Sequence, residues 1–162
     1  MNRFEFMSGG KELLGFVKPL WEKLNKHHEI KSENFSDKYR NFKFEERKSK
    51  FDSYDNSSIK VDLIKDSEND IYIGYCISTI NEKSEGEIDS IFVDGECRKF
   101  GLGDRLMGRA LEWLDCNNAK KKIIGVAEGN EEVLSFYKKY GFYKRTVILE
   151  QRNEGGLHDE KA

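Results

Sequence analysis

From Ile59 to Val93, three strand-length runs are separated by two polar turns, the first two with apolar residues at every second position, and this pattern commits the middle of the chain to strands. Ile59, Val61 and Leu63 form the first run. Ile71, Ile73 and Tyr75 open the second, which continues to about Ile80, and Glu87 to Val93 is the third. Asp66 to Asp70 and Asn81 to Gly86 read as the turns. Consecutive strands joined this closely predict an antiparallel meander. Strict alternation in the third run sets Ile88, Ser90 and Phe92 against Glu87, Asp89, Ile91 and Val93.

The period then changes. Glycines stand at 95, 101 and 103, and Leu106, Met107, Ala110, Leu111 and Leu114 follow at helical spacing. Lys122 to Val126 reads as a short strand, Asn130 to Tyr140 as a second helix stopped by Gly141, and Phe142 to Glu150 as a closing strand. Upstream, Arg3 to Met7 suits a short first strand, broken by Ser8-Gly9-Gly10. Leu13, Leu14, Val17, Leu20, Trp21 and Leu24 then make a helical stripe. Pro19, the only proline, is expected to kink that helix or to start a second one, since it has no N–H and crowds the preceding turn. Phe35, Tyr39, Phe42, Phe44 and Phe51 are spaced as in short helices that cover an edge of a core or line a pocket. The order of elements predicts an α+β chain with a mixed sheet covered by helices.

A chain of 162 residues suits one domain, expected over 1–151 with a polar tail over 152–162. The formal charge of -2 gives no support to a broad polyanion-binding face, so no nucleic-acid partner is expected. Cys76, Cys97 and Cys116 lack metal-binding spacing and suit reduced thiols. His27 and His28 make no metal-ligand set, and no metal is expected. The first six residues lack an apolar signal core, and no run is long enough to span a membrane. The expectation is therefore a cytoplasmic chain without a membrane partner.

The chemistry is concentrated where Val93 leads through Asp94-Gly95-Glu96-Cys97-Arg98-Lys99-Phe100-Gly101-Leu102-Gly103-Asp104 into a helix. Glycines allow a tight turn and remove Cβ atoms from the path of a ligand. Free N–H groups of the loop and first helical turn then face an anion, with the helix dipole adding to the attraction. A pyrophosphate suits such a cradle, and Arg98 and Lys99 add positive charge. No Gly-Lys-Ser/Thr follows, so this is not a P-loop. Leu106 occupies the third glycine position of a dinucleotide fingerprint, so it is not that either.

Arg98-Lys99-Phe100-Gly101-Leu102-Gly103, followed by Asn130 and by Phe136-Tyr137-Lys138-Lys139-Tyr140-Gly141-Phe142, resembles the two signatures of the GCN5-related N-acetyltransferases, in order and at fitting separation. The resemblance is firm over about 70–150 and holds only in outline before residue 60. It implies a three-layer α/β/α fold with a mixed, splayed central sheet of about six to seven strands. It implies acetyl-CoA as cosubstrate and direct transfer of acetyl to a primary amine of a small molecule or peptide. Homodimers are common in the family. The alternatives are another acyl group or acceptor, or a catalytically silent acyl-CoA-binding or sensing module.

By the same resemblance, backbone N–H groups from Arg98 to Asp104, Phe100 and Leu102 included, hold the pyrophosphate. Ile91, Phe92 and Val93 flank the pantetheine arm, and an N–H there polarises the thioester carbonyl. Asn130 helps hold the arm, against the alternative that it only caps a helix. Tyr137 corresponds to the tyrosine that protonates the departing thiolate, against the alternative of ring packing. Glu87 sits near the base that some members use. Its alternative is a solvent-facing strand carboxylate, Asp89 is no better a candidate, and an acceptor that arrives partly neutral needs neither. The pocket for the acceptor is expected between Lys11 and Tyr54.

Overall fold

The computed structural model describes residues 2–152, and the polar tail expected over 152–162 lies outside them from residue 153 onward. Five strands form one sheet in the order β1-β2-β3-β4-β5: β1 (Phe4–Gly9), β2 (Ile59–Asp66), β3 (Ile71–Ile80), β4 (Glu85–Val93) and β5 (Lys121–Ile124). The first four pair antiparallel as the meander reading requires, and β5 joins β4 in parallel. The helices are α1 (Leu14–Lys31), α2 (Ser36–Asn41), α3 (Phe44–Ser49), α4 (Leu102–Cys116) and α5 (Leu134–Lys138). Together they make the mixed three-layer α/β/α fold. Contacts group the described residues into two units, one of residues 2–25 and 42–125, the other of 26–41 and 126–152.

The first unit carries the sheet and its two cores. On one face, Leu14, Val17, Leu20 and Trp21 of α1 pack with Phe44, Phe51, Val61, Leu63, Tyr75, Ile77 and Phe92. Phe42, Phe44 and Phe51 are therefore core and cover residues: the rings of Phe42 and Phe44 each meet Trp21 at 5.5 Å. Leu102, Leu106, Met107, Ala110 and Leu114 are the buried stripe of α4, which packs on β2, β3 and β4. α1 runs through Pro19 without a second helix starting there. Pro19 and Gly15 are both exposed, so the carbonyl that the proline leaves unbonded faces water.

Several carboxylates are buried in this unit, and Asp62 is the one held between β1 and α4. Asp62 of β2 is 0% exposed; it accepts hydrogen bonds from Ser8 Oγ at 2.6 Å and Arg109 Nε at 3.0 Å. Lys60 Nζ stands 3.3 Å from Oδ2, near enough for an ion pair although the alignment is not that of a hydrogen bond. Removing one partner of a buried carboxylate strands its charge. Arg109→Ala should therefore lower unfolding stability by about 2–4 kcal/mol. Adding Asp62→Asn to that variant should restore part of the loss. Urea denaturation of the native chain and both variants measures this.

Two corrections concern the strands. Phe142 to Glu150 carries no strand, and the sheet has five strands among the described residues instead of six or seven. Val147-Ile148-Leu149 is a run of strand-favouring residues, but a strand needs a hydrogen-bonding partner and that stretch has none in the sheet. In β4, the pairing runs Ile77 with Ser90 and Ser78 with Ile88, so Asp89 is skipped as a bulge. The extra residue breaks the strict alternation. Ser90 and Phe92 share the face of Tyr75, with Ser90 Oγ 2.6 Å from the phenol oxygen.

Candidate acyl-transfer site

In the first unit, the glycine loop forms a tight 3-10 turn over Gly95–Phe100, and Gly101 then takes a left-handed conformation, φ +69°, as the N-cap of α4. Gly101 has no side chain with which to cap that helix end. The opening N–H groups of a helix have no intrahelical acceptor, so this terminus presents donors and the positive end of the dipole to an anion. A Cβ at Gly101 would meet nothing within 4 Å, so the constraint on this residue is its backbone conformation.

Of the two cations beside the loop, Arg98 turns back. Its Nε donates to the Val93 carbonyl at 3.0 Å and its guanidinium lies 5.8 Å from the Phe92 ring centre. Arg98 thus ties the loop to the end of β4. Lys99 Nζ lies 5.3 Å over the ring of Phe100, which meets the ring of Phe4 in a tilted contact at 5.1 Å. Cys97 is buried, and burial pushes its thiol above the ordinary range, which keeps it protonated.

β4 and β5 pair over only four residues, ending at Ile88 with Ile124. β5 ends there, so among the described residues no strand pairs with Asp89 to Val93 on the β5 side. Such an open edge can hydrogen-bond an extended ligand. Ile91, Phe92 and Val93 lie on it, with Phe92 and Val93 buried.

The two carboxylates that looked equivalent in sequence are held differently. The bulge turns Asp89 into a fully buried position, where Arg47 donates to Oδ2 at 2.7 Å and Lys50 to Oδ1 at 2.5 Å. Both oxygens are engaged, which leaves Asp89 a structural anion. Glu87 Oε1 is 3.6 Å from Lys50 Nζ, and its side chain is 29% exposed. Glu87 alone of the pair keeps access to solvent.

In the second unit, Asn130 follows a loop bolted to the end of α1. Glu128 accepts from the Ser32 hydroxyl, from the N–H groups of Glu33 and Asn34, and from Asn34 Nδ2. These donors hold its carboxyl below the usual range. Gly129, at φ +91°, passes so near Lys31 that a Cβ would stand 2.2 Å from the Lys31 carbonyl oxygen. Asn130 is 9% exposed and precedes a 3-10 turn over Glu131–Val133, but its side chain makes no cap bond. Its Oδ1 lies instead 3.2 Å from His27 Nε2.

Tyr137 is half-buried on α5, with its ring 5.5 Å from that of Phe136. The expected helix over Asn130 to Tyr140 is shortened to the 3-10 turn and α5, because bonds from Tyr140 N–H to Tyr137 O and from Gly141 N–H to Lys138 O tighten its end. Gly141, at φ +84°, stops it as expected.

His27 and His28 read in sequence as surface or cap residues, yet both are partly buried. Burial, with His27 adjacent, lowers His28 to about 4. A histidine depressed in this way is neutral when folded and protonated when unfolded between about 6.5 and 4, so stability present above that window is lost as pH falls through it. His28→Leu should therefore show a smaller fall in Tm between pH 7 and pH 4.5 than the native chain, measured by thermal denaturation at stepped pH. Within Lys11 to Tyr54, Glu29 pairs with Lys26 and Arg40, Asp37 with Arg40, and Glu45 with Lys18. Among the described residues no helix is long and apolar enough to cross a membrane.

Comparison with known proteins bears on the same segments. The model of the Acetyltransferase (GNAT) family matches residues 21–142. An uncharacterized N-acetyltransferase of Methanocaldococcus jannaschii is 32% identical over 72 residues, which are 44% of this chain and 32% of that protein, so the match spans about a third of the relative's length. Among solved structures, a putative acetyl transferase from Pyrococcus furiosus superposes with a TM-score of 0.72 at 19% identity, covering 93% of this chain and 99% of that one. A GCN5-related N-acetyltransferase from Ralstonia eutropha JMP134 gives 0.71 at 15% identity, over 91% and 97%. At such identities the superpositions speak for the fold alone.

Proposed function

The chain belongs to the acetyltransferase (GNAT) family, and from that premise we propose that it moves acetyl from acetyl-CoA directly to a primary amine of a small molecule or peptide. The observation that carries this reading is the N-terminus of α4 behind a left-handed Gly101, which has no side chain to cap it, at the end of a strand whose pairing with β5 stops at Ile88. A pyrophosphate needs the first, and an extended amide-bearing arm needs the second.

In this proposal the N–H groups from Arg98 to Asp104 hold the pyrophosphate, and Arg98 keeps the loop docked on Val93. Ile91, Phe92 and Val93 supply the edge beside the arm, where a fixed N–H stabilises charge developing on the thioester oxygen. The thioester supplies the acyl group. The amine nitrogen attacks its carbonyl carbon, the carbon–sulfur bond breaks, and the sulfur takes a proton from the Tyr137 phenol. The amine loses its own proton to water or to Glu87, the solvent-accessible carboxylate of the pair. No covalent step at cysteine is invoked, in keeping with Cys97 held as a buried thiol.

Calorimetric titration with acetyl-CoA, with hydrogen exchange followed in parallel, tests the binding half of the proposal. One site and slowed exchange across residues 98–104 are expected. Absence of any heat or protection would overturn it.

A further inference from the structure

We propose that His27 is a positioning residue for Asn130: it fixes the side-chain amide so that its NH2 end, not its oxygen, is offered to the arm of the acyl-CoA. This inference rests on the acyl-CoA reading above and adds a residue outside both sequence signatures.

An asparagine amide is chemically two-faced, accepting at oxygen and donating at nitrogen, and its two orientations fill nearly the same space. What sets the orientation is the partner at one end. Asn130 has been freed from the usual work of an asparagine at a helix start, since its side chain makes no cap bond. Its Oδ1 faces His27 Nε2 at 3.2 Å. With a proton on Nε2, the ring donates to that oxygen, and Nδ2 is left as the available donor. Glu132 Oε1, 3.7 Å from the same ring nitrogen, favours a proton there.

The backbone around the pair is fixed. Glu128 gathers four donors from Ser32, Glu33 and Asn34, and Gly129 allows the contact of its loop with Lys31. These two residues hold the approach to Asn130 against the end of α1, and one turn back on that helix stands His27. A donor held this way selects a carbonyl oxygen. The pantetheine arm carries two amide carbonyls, whereas the nucleotide end of coenzyme A carries none.

The test compares affinities for acetyl-CoA and for adenosine bisphosphate, the nucleotide end without the arm, by calorimetry on the full chain. His27→Ala should weaken acetyl-CoA binding roughly three- to tenfold, the loss of one oriented hydrogen bond. It should leave adenosine bisphosphate within about twofold, a change below the effect of one such bond. His27→Gln, whose amide nitrogen reaches the same place, should restore acetyl-CoA affinity to within about twofold. In an Asn130→Ala background, His27→Ala should add nothing further. Equal loss for both ligands, failure of glutamine to rescue in a variant of native Tm, or full additivity with Asn130→Ala would each overturn the proposal. If the native chain binds adenosine bisphosphate but not acetyl-CoA, or neither, the acyl-CoA reading itself falls, which is a distinct outcome.

Discussion

Tyr137→Phe should lower the rate of acetyl transfer about a hundredfold and leave acetyl-CoA affinity within about twofold, since in the proposed mechanism the phenol donates its proton only as the thiolate departs. The ring stays, so its packing on Phe136 is kept, and only the hydroxyl is lost. A thiolate leaving without a donor has to be released as an anion, and that cost appears in the transition state. The prediction is checked by steady-state kinetics beside calorimetry. An unchanged rate would reduce Tyr137 to a packing residue and leave thiolate protonation to water. A parallel loss of affinity and rate would instead place its effect in binding.

Substitutions at Gly101 give the second large effect, with an order set by backbone conformation. The residue sits at φ +69°, and a Cβ there finds open space. Asparagine tolerates this region, alanine is strained, and a β-branched valine is an outlier. Acetyl-CoA affinity should therefore fall in the order Gly, Asn, Ala, Val. The valine variant should be weakened about tenfold or more, since roughly 1–2 kcal/mol of strain acts on the turn that aims the N–H groups. Tm should fall in the same order. If all three variants weakened binding equally with no trend in Tm, contact with ligand and not the turn would be the cause.

Much of the first unit was legible in the sequence. Ile71–Ile80 is a strand with the bounds its alternation suggested, and Leu106, Met107, Ala110 and Leu114 are the buried stripe of α4. Both depend on local period, which one window of sequence contains. The bulge at Asp89 was not legible, because it is a property of pairing with β3. Its consequence is chemical: it sends Asp89 into the grip of Arg47 and Lys50, so two carboxylates alike in sequence come to differ in access.

The second unit was read less well, for a related reason. Phe142 to Glu150 has the composition of a strand but no partner in the sheet, and pattern alone does not supply a partner. His27 meets Asn130, about a hundred positions away in the chain. The sequence offered only the Glu-Gly-Asn run there, whose glycine is the residue required for close approach. The loop glycines and Asn130 stood out because their residue types are restricted by conformation or by donor chemistry. His27 did not, since a histidine at a helix end is ordinary.

The most direct test of the account is release of coenzyme A thiol from acetyl-CoA by the native chain against a panel of amines, including polyamines, aminoglycosides and peptides. Acetylated product is followed by mass spectrometry. The account predicts thiol release that depends on one class of amine, with one acetyl group gained by the acceptor for each thiol formed. Tight binding of acetyl-CoA with no transfer to any amine would contradict it and assign the chain to acyl-CoA binding without catalysis.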